Sequence, residues 1–255
     1  MQSRQITTSR LHARSTIRYT AALGVMSALL VAACAGDSPA GLHSPDSSPL
    51  LQTSSATTLG SASSFAVLGA STVTCTGAGS NAGDVGVSPG SSITGFNPDC
   101  TLTGTLHAAD GASASAQADA ATAYGLLSAA PCNVTFGTVH ELSGLTLTPG
   151  VYCFPSSAQV SGGTLTLKGQ GPFIFKVSST FITSTGSSVI LTDGATCDNI
   201  YWLVGSSATL GGPVAGNIIA YTSIGMDAGS SLTGRAIALN AAVTMSGQNA
   251  VSACR

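Results

Sequence analysis

From Ser63 onward the sequence is written in short apolar runs rich in β-branched residues, each closed by Gly, Asn, Asp or Ser. That punctuation predicts many short strands joined by tight turns. One segment departs from it. His107 to Ala130 (HAADGASASAQADAATAYGLLSAA) is alanine-rich and, Thr122 apart, free of β-branched residues. Its propensity predicts a single long helix over about residues 107–130, ended by Pro131, despite Gly111 and Gly125.

The C-terminal third repeats itself. Ile200–Asn217, Ile218–Arg235 and Ala236–Ala253 are equal in length and align without gaps, with Gly211, Gly229 and Gly247 in one column and Gly216 and Gly234 in another. Looser copies stand upstream at Gly150–Phe154 and Pro172–Val177. A period of about 18 residues holding three strands of four or five residues is what one coil of a triangular β-solenoid requires. In such a stack, coils lie about 4.8 Å apart and outward residues of one strand about 6.7 Å apart, so each side carries a regular grid. Trp202, Val204, Ile219, Tyr221, Ile237 and Leu239, or their neighbours, are expected to fill the interior.

The N-terminus reads as an export signal. Arg4, Arg10, Arg14 and Arg18 precede an uncharged apolar stretch, Thr20–Ala33, that is too short for a membrane span. It ends Val31-Ala32-Ala33-Cys34, which resembles the lipobox of bacterial lipoproteins. The resemblance implies removal of residues 1–33 and acylation of Cys34, anchoring the chain to an outer membrane or cell surface. Residues 35–60, rich in Ser, Pro, Thr and Ala, read as a flexible tether, and residues 61–255 as the folded domain.

Setting Cys34 apart leaves six of the seven cysteines: Cys75, Cys100, Cys132, Cys153, Cys197 and Cys254. In an exported chain without a CxxC pair they are candidates for disulfides rather than metal ligands. Fifteen pairings are open, and Cys132 with Cys153, flanking one hairpin-sized segment, is the one the sequence suggests. Charged residues are 7% of the chain and the net charge is -2, against roughly 25% charged residues in an ordinary soluble protein. This excludes a nucleic-acid or anionic-membrane surface, which needs clustered Lys and Arg. Small neutral side chains take the place of charge.

Several ordered motifs then resemble one family. They are Ser64–Thr74 (SFAVLGASTVT), Gly83–Gly90 (GDVGVSPG), Gly104–Asp110 (GTLHAAD), Leu145–Tyr152 (LTLTPGVY), Phe173–Phe175 (FIF), Trp202–Leu210 (WLVGSSATL) and Gly216–Ile218 (GNI). Across about residues 60–254 they resemble the DUF3494 ice-binding proteins of bacteria, fungi and algae. The resemblance implies a mainly β fold: a discontinuous right-handed triangular β-solenoid with one long α-helix packed alongside. It also implies that ice is bound through one flat face, made of the strands that follow the FAVL, WLVG and GNII strands. If Val73, Ile93, Phe181, Ala208, Ile224 and Val243 point inward, alternation puts Thr72, Thr74, Ser92, Thr94, Thr180, Ile182, Ser207, Thr209, Ser223, Gly225, Ala242 and Thr244 outward. None of these is charged, and all but Ile182 are small or hydroxylated. Met226 and Asp227 are expected to interrupt this face, and Gly225 offers it no side chain.

No catalytic constellation accompanies the pattern. His107 and Asp110 stand where a helix start would use them, and His140 and Glu141 point to opposite faces of a strand. Gly205-Ser206-Ser207 lacks the strand-to-helix context and the histidine that a nucleophilic serine needs. The scattered Asp residues form neither the paired carboxylates nor the Ca²⁺ cluster of a carbohydrate-active β-helix. The sequence therefore predicts no enzyme, no cofactor and no metal, but a monomer whose partner is the ice surface. The alternative is a surface adhesin or structural solenoid without ice activity.

Overall fold

The computed structural model describes residues 58–254, so the leader and Cys34 lie outside the described residues. Every strand pairing in it is parallel, and the strands fall on three sides of a triangular solenoid. Parallel neighbours need a crossover, and here the rest of each coil supplies it.

Face A is a nine-stranded sheet that fixes the order of the coils. From one end it runs Leu106–Ala108, Asp84–Val87, Phe65–Gly69, Ala236–Ala238, Asn217–Ala220, Ile200–Val204, Phe173–Val177, Gly150–Phe154, Val134–Thr135. The first coil of the chain is thus paired with the last, Val67 opposite Ala236, and the second coil lies outside it. After two coils the chain has to return to the far end of the stack. Eight ladder steps of about 4.8 Å span about 38 Å. The helix α1, Gly111–Ser128, has 18 residues and covers about 27 Å of that, leaving the rest to the segment before Val134.

α1 starts four residues later than the sequence predicts. His107 belongs to the edge strand of face A, and Asp110 is the N-cap: its side chain accepts from Ser113 N at 2.8 Å, and Ser113 Oγ closes a capping box. At its other end the helix stops at Ser128, short of Pro131. The buried residues of α1 are Ser113, Ala116, Ala120, Ala123 and Leu127. This is a helical stripe chosen for small size, which lets the axis lie close on the sheet.

Beneath α1, face A is apolar on both sides. Phe65, Leu68, Ile174, Tyr201, Leu203, Ile219 and Ile237 point out to the helix, while Val67, Phe175, Trp202, Val204, Ile218 and Ala236 point inward. Ile219 and Ile237, expected inside, therefore pack under the helix and their neighbours take the interior. Leu239 joins the helix-side cluster, and Tyr221 is 53% exposed. A sheet buried on both faces has no polar alternation to read. Within the lumen, Trp202 stacks on Phe175 and Phe181 with ring centroids 3.9 and 4.3 Å apart, and its indole N–H donates to Ala215 O at 3.0 Å.

Between the first two repeated coils the gapless spacing holds on the third side and slips by two residues on the other two, while in the next step it holds on face A and is off by one on the others. Trp202 pairs with Ile218 and Ala208 with Ile224, whereas Pro213 pairs with Ser231. The difference is absorbed where Gly211 and Gly212 cut the corner that Asp227–Ser230 takes in the next coil; a Cβ on Gly212 would lie 2.2 Å from Ser187 O. A second corner is closed by Gly216 and Gly234, both at positive φ, with a Cβ on Gly234 falling 1.9 Å from Gly216 O. Only glycine permits that approach.

Three disulfides join Cys75–Cys100, Cys132–Cys153 and Cys197–Cys254. The suggested Cys132–Cys153 pair is among them.

Candidate functional site

Of the three sides, face A is covered by α1. Face C is split into a three-stranded sheet (Thr146–Leu147, Thr164–Lys168, Ser188–Thr192) and a five-stranded one that begins at Pro213–Ala215. It also carries the exposed Lys168–Asp193 ion pair, 3.2 Å apart. Among the described residues, face B alone is both continuous and bare. Its eight strands run Ser92–Thr94, Thr72–Thr76, Val243–Ser246, Ile224–Met226, Ala208–Leu210, Phe181–Thr183, Ala158–Val160, His140–Glu141.

The alternation predicted for this face is the alternation observed. Val73, Phe181, Ala208, Ile224 and Val243 are buried, and Ile93 packs on the core. The register lines up Thr94, Thr74, Thr244, Gly225, Thr209 and Ile182 as one row across successive strands. Ser92 stands opposite Thr72, and one residue ahead of the paired strands Ala242, Ser223, Ser207 and Thr180 extend that second row. All twelve residues are at least partly accessible, Ile182 at 39%.

Hydroxyls in these rows hold one another. Ser207 Oγ and Ser223 Oγ lie 2.9 Å apart, Ser157 Oγ and Thr180 Oγ1 2.8 Å, and Thr94 Oγ1 donates to Thr74 Oγ1 at 3.4 Å. Such cross-coil bonds fix side-chain rotamers, so the grid is rigid before anything binds.

Met226 does not interrupt the face. It is fully buried, paired between Leu210 and Met245, and Asp227 lies beyond the strand in the corner. The expectation failed because the inward column of the strand needs an apolar residue there. Gly225 is in the row and leaves a gap, with nothing within 4 Å of a Cβ built on it.

The sequence reading missed the ends of the face. Thr76 and Ser246 pair and extend it on one margin, and Ser157 and Gln159 continue the rows toward the far coil. Gly150–Phe154 had marked that coil, but its next strand, Ala158–Val160, carries Gln159 between Ile182 and Glu141, so small-residue spacing gave no signal. Beyond it stands Glu141, a carboxylate at the end of the sheet. Burial pushes its pKa up, but hydrogen bonds from Ser143 and Ser161 outweigh that and hold it at about 2. Ser143 N donates at 2.8 Å, Ser161 N at 3.1 Å, and Ser161 Oγ and Gln159 Nε2 also donate to it.

The groups weighed for chemistry have structural partners. His107 Nδ1 meets Asp110 Oδ2 at 2.7 Å and its ring packs on Phe65, while His140 stacks on Phe136 with centroids 4.1 Å apart. No group of three or more His, Cys, Asp or Glu able to hold a metal occurs among the described residues. None of their helices is long and apolar enough to cross a membrane.

A β-solenoid with a helix laid along one side and one bare, continuous face, neutral but for Glu141 at its end, is the class of protein this geometry defines. The chain belongs to the ice-binding-like family, whose model matches residues 67–251. Over 160 residues it is 45% identical to an ice-binding protein of Nostoc sp. (strain HG1), covering 60% of this chain and 58% of that one. The match thus spans less than two thirds of that relative. The crystal structure of an ice binding protein from an Antarctic biological consortium superposes with a TM-score of 0.75 at 42% identity, covering 81% of this chain and 94% of that one. An ice-binding protein of the ascomycete Antarctomyces psychrotrophicus gives 0.72 at 38% identity, covering 76% and 96%.

Proposed function

We propose that the protein is an ice-binding protein that adsorbs to ice crystals through face B and so inhibits ice growth and recrystallisation. One observation carries the reading: among the described residues face B is the one side that is both uncovered and unbroken, and its aligned rows from the Ser92–Thr94 strand to the Phe181–Thr183 strand are neutral and small or hydroxylated apart from Ile182. Methyls and hydroxyls on a fixed grid order a layer of water, which merges with the growing ice front and curves it between bound molecules. The rigidity of the rows matters because the ordering cost has been met on folding. Relatives named as ice-binding proteins support the same reading. The chemistry asked of the face is adsorption, which needs no catalytic group, cofactor or metal, and a monomer suffices for it.

The leader reading completes the proposal. The chain is exported, cleaved before Cys34, lipidated there and held at an outer membrane or cell surface by the segment that follows.

The test is uptake into ice. Fluorescently labelled protein is expected to enter a slowly grown ice hemisphere and to stain it. Thr209→Tyr on face B is expected to cut uptake at least tenfold, while Thr166→Tyr on face C leaves it within about twofold. Equal loss from both, or no uptake by the folded parent, contradicts the reading and leaves a surface solenoid whose ligand is something other than ice.

A further inference from the structure

We infer that the chain leaves the folded domain at the edge opposite face B, so that a copy anchored through its N-terminus carries the ice-contact rows outward and binds its membrane to ice. The inference rests on the proposed ice reading of face B and on the lipid reading of Cys34.

The exit edge is fixed by contacts. Residues 60–64 form a 3-10 turn immediately before the first face A strand. Arg235, 4% exposed in the corner between faces C and A, donates from Nε to Ser63 O at 2.8 Å. On the other side of the turn, Asp119 of α1 accepts from Ser61 N at 2.7 Å and from Ser61 Oγ at 2.6 Å. Leu59 and Ala62 are fully buried in the cluster beneath α1. The chain is therefore clamped from Leu59 onward along the edge where faces C and A meet. In a triangular coil that edge is the one that does not border face B.

The dimensions give this placement a consequence. From α1 to face B the body is roughly 25 Å deep, one helix diameter added to the height of a coil with sides of about five residues. Had the exit been on face B, a short link to the lipid would hold the grid against it. With the exit on the opposite edge, the body itself spaces the grid from the membrane, and even a short tether leaves it accessible.

The experiment uses the mature chain from Cys34 onward. The other six cysteines are paired, so Cys34 offers the single thiol for coupling to maleimide-bearing vesicles, where the linkage stands in for the lipid. Vesicles carrying the full tether, and vesicles carrying a tether shortened by removal of residues 36–50, are frozen slowly and their partition into ice is measured. Uncoupled chains of both lengths are assayed for recrystallisation inhibition in parallel. Both vesicle preparations are expected to enter the ice, within about twofold of each other, and a Thr209→Tyr/Thr244→Tyr chain is expected to lose at least tenfold. If the free chains are active and either coupled form is excluded from ice, the exit geometry is wrong while the ice reading stands. If the free chains are also inactive, the ice reading fails and this inference falls with it.

Discussion

Arg235 does more for this fold than its place in the sequence, between a glycine and an apolar strand, suggests. Buried in a corner, it donates to Ser63 O and, at 2.8 Å, to Asn217 Oδ1, while Asn217 Nδ2 donates to Cys197 O and Ile200 O. Removing one member of such a network leaves its partners desolvated and unsatisfied. Arg235→Ala is expected to lower stability by about 3 kcal/mol in urea unfolding, and a loss below about 1 kcal/mol would contradict that role. The carboxylates act at lower pH. Asp110 is held at about 2 by the Ser113 N–H and then by His107, and Glu141 at about 2 by its serine donors, which prevail over burial. Both lie below their unfolded values near 4, so their stabilisation is complete above about pH 4 and drains away as pH falls toward 2. The melting temperature is expected to drop across that window, less steeply in Asp110→Asn/Glu141→Gln. Parallel profiles for the two proteins would exclude these groups as the cause.

At the scale of elements, α1 shows why a composition reading finds a helix without finding its face. Its buried stripe is mostly alanine, indistinguishable in polarity from its exposed alanines, and only the helical spacing of Ala116, Ala120 and Ala123 against face A sets it apart. Ala120→Leu keeps helix propensity nearly unchanged but overfills the contact, so it is expected to destabilise by about 1–3 kcal/mol. The same substitution at exposed Ala121 is expected to stay within about 0.5 kcal/mol, and equal costs at both sites would refute the packing argument. Face B was legible for the opposite reason. One side of it meets the lumen and the other meets water, so period-two alternation survives in Thr72-Val73-Thr74 and Ala242-Val243-Thr244. Face A lost that signal because α1 buries its outer side, which is why Ile219 and Ile237 were expected inward. The two-residue slip at Gly211-Gly212 was hidden because the glycine columns align in the sequence even where the strands do not.

At the largest scale, the described residues form a stack that begins in its own interior: the coil starting at Phe65 pairs with the coil starting at Ala236, and face B runs across that join without a break. Its disulfides tie coils together, and the 57-residue separation of Cys197 from Cys254 implies a loop-closure contribution of about 4 kcal/mol, lost in Cys197→Ser/Cys254→Ser. The rows that cross the join hold no titratable side chain until Glu141 at the far end, whose pKa of about 2 keeps it ionised, so ice activity is expected to stay flat between about pH 5 and pH 9 even where stability changes. The most direct test of the account is the thermal hysteresis of the mature chain beside that of Thr209→Tyr/Thr244→Tyr, with matched circular dichroism. Two tyrosines standing in the central row on either side of Gly225 are expected to abolish a hysteresis gap that the parent displays. A folded parent with no gap, or a double variant that keeps it, would contradict the claim that face B binds ice.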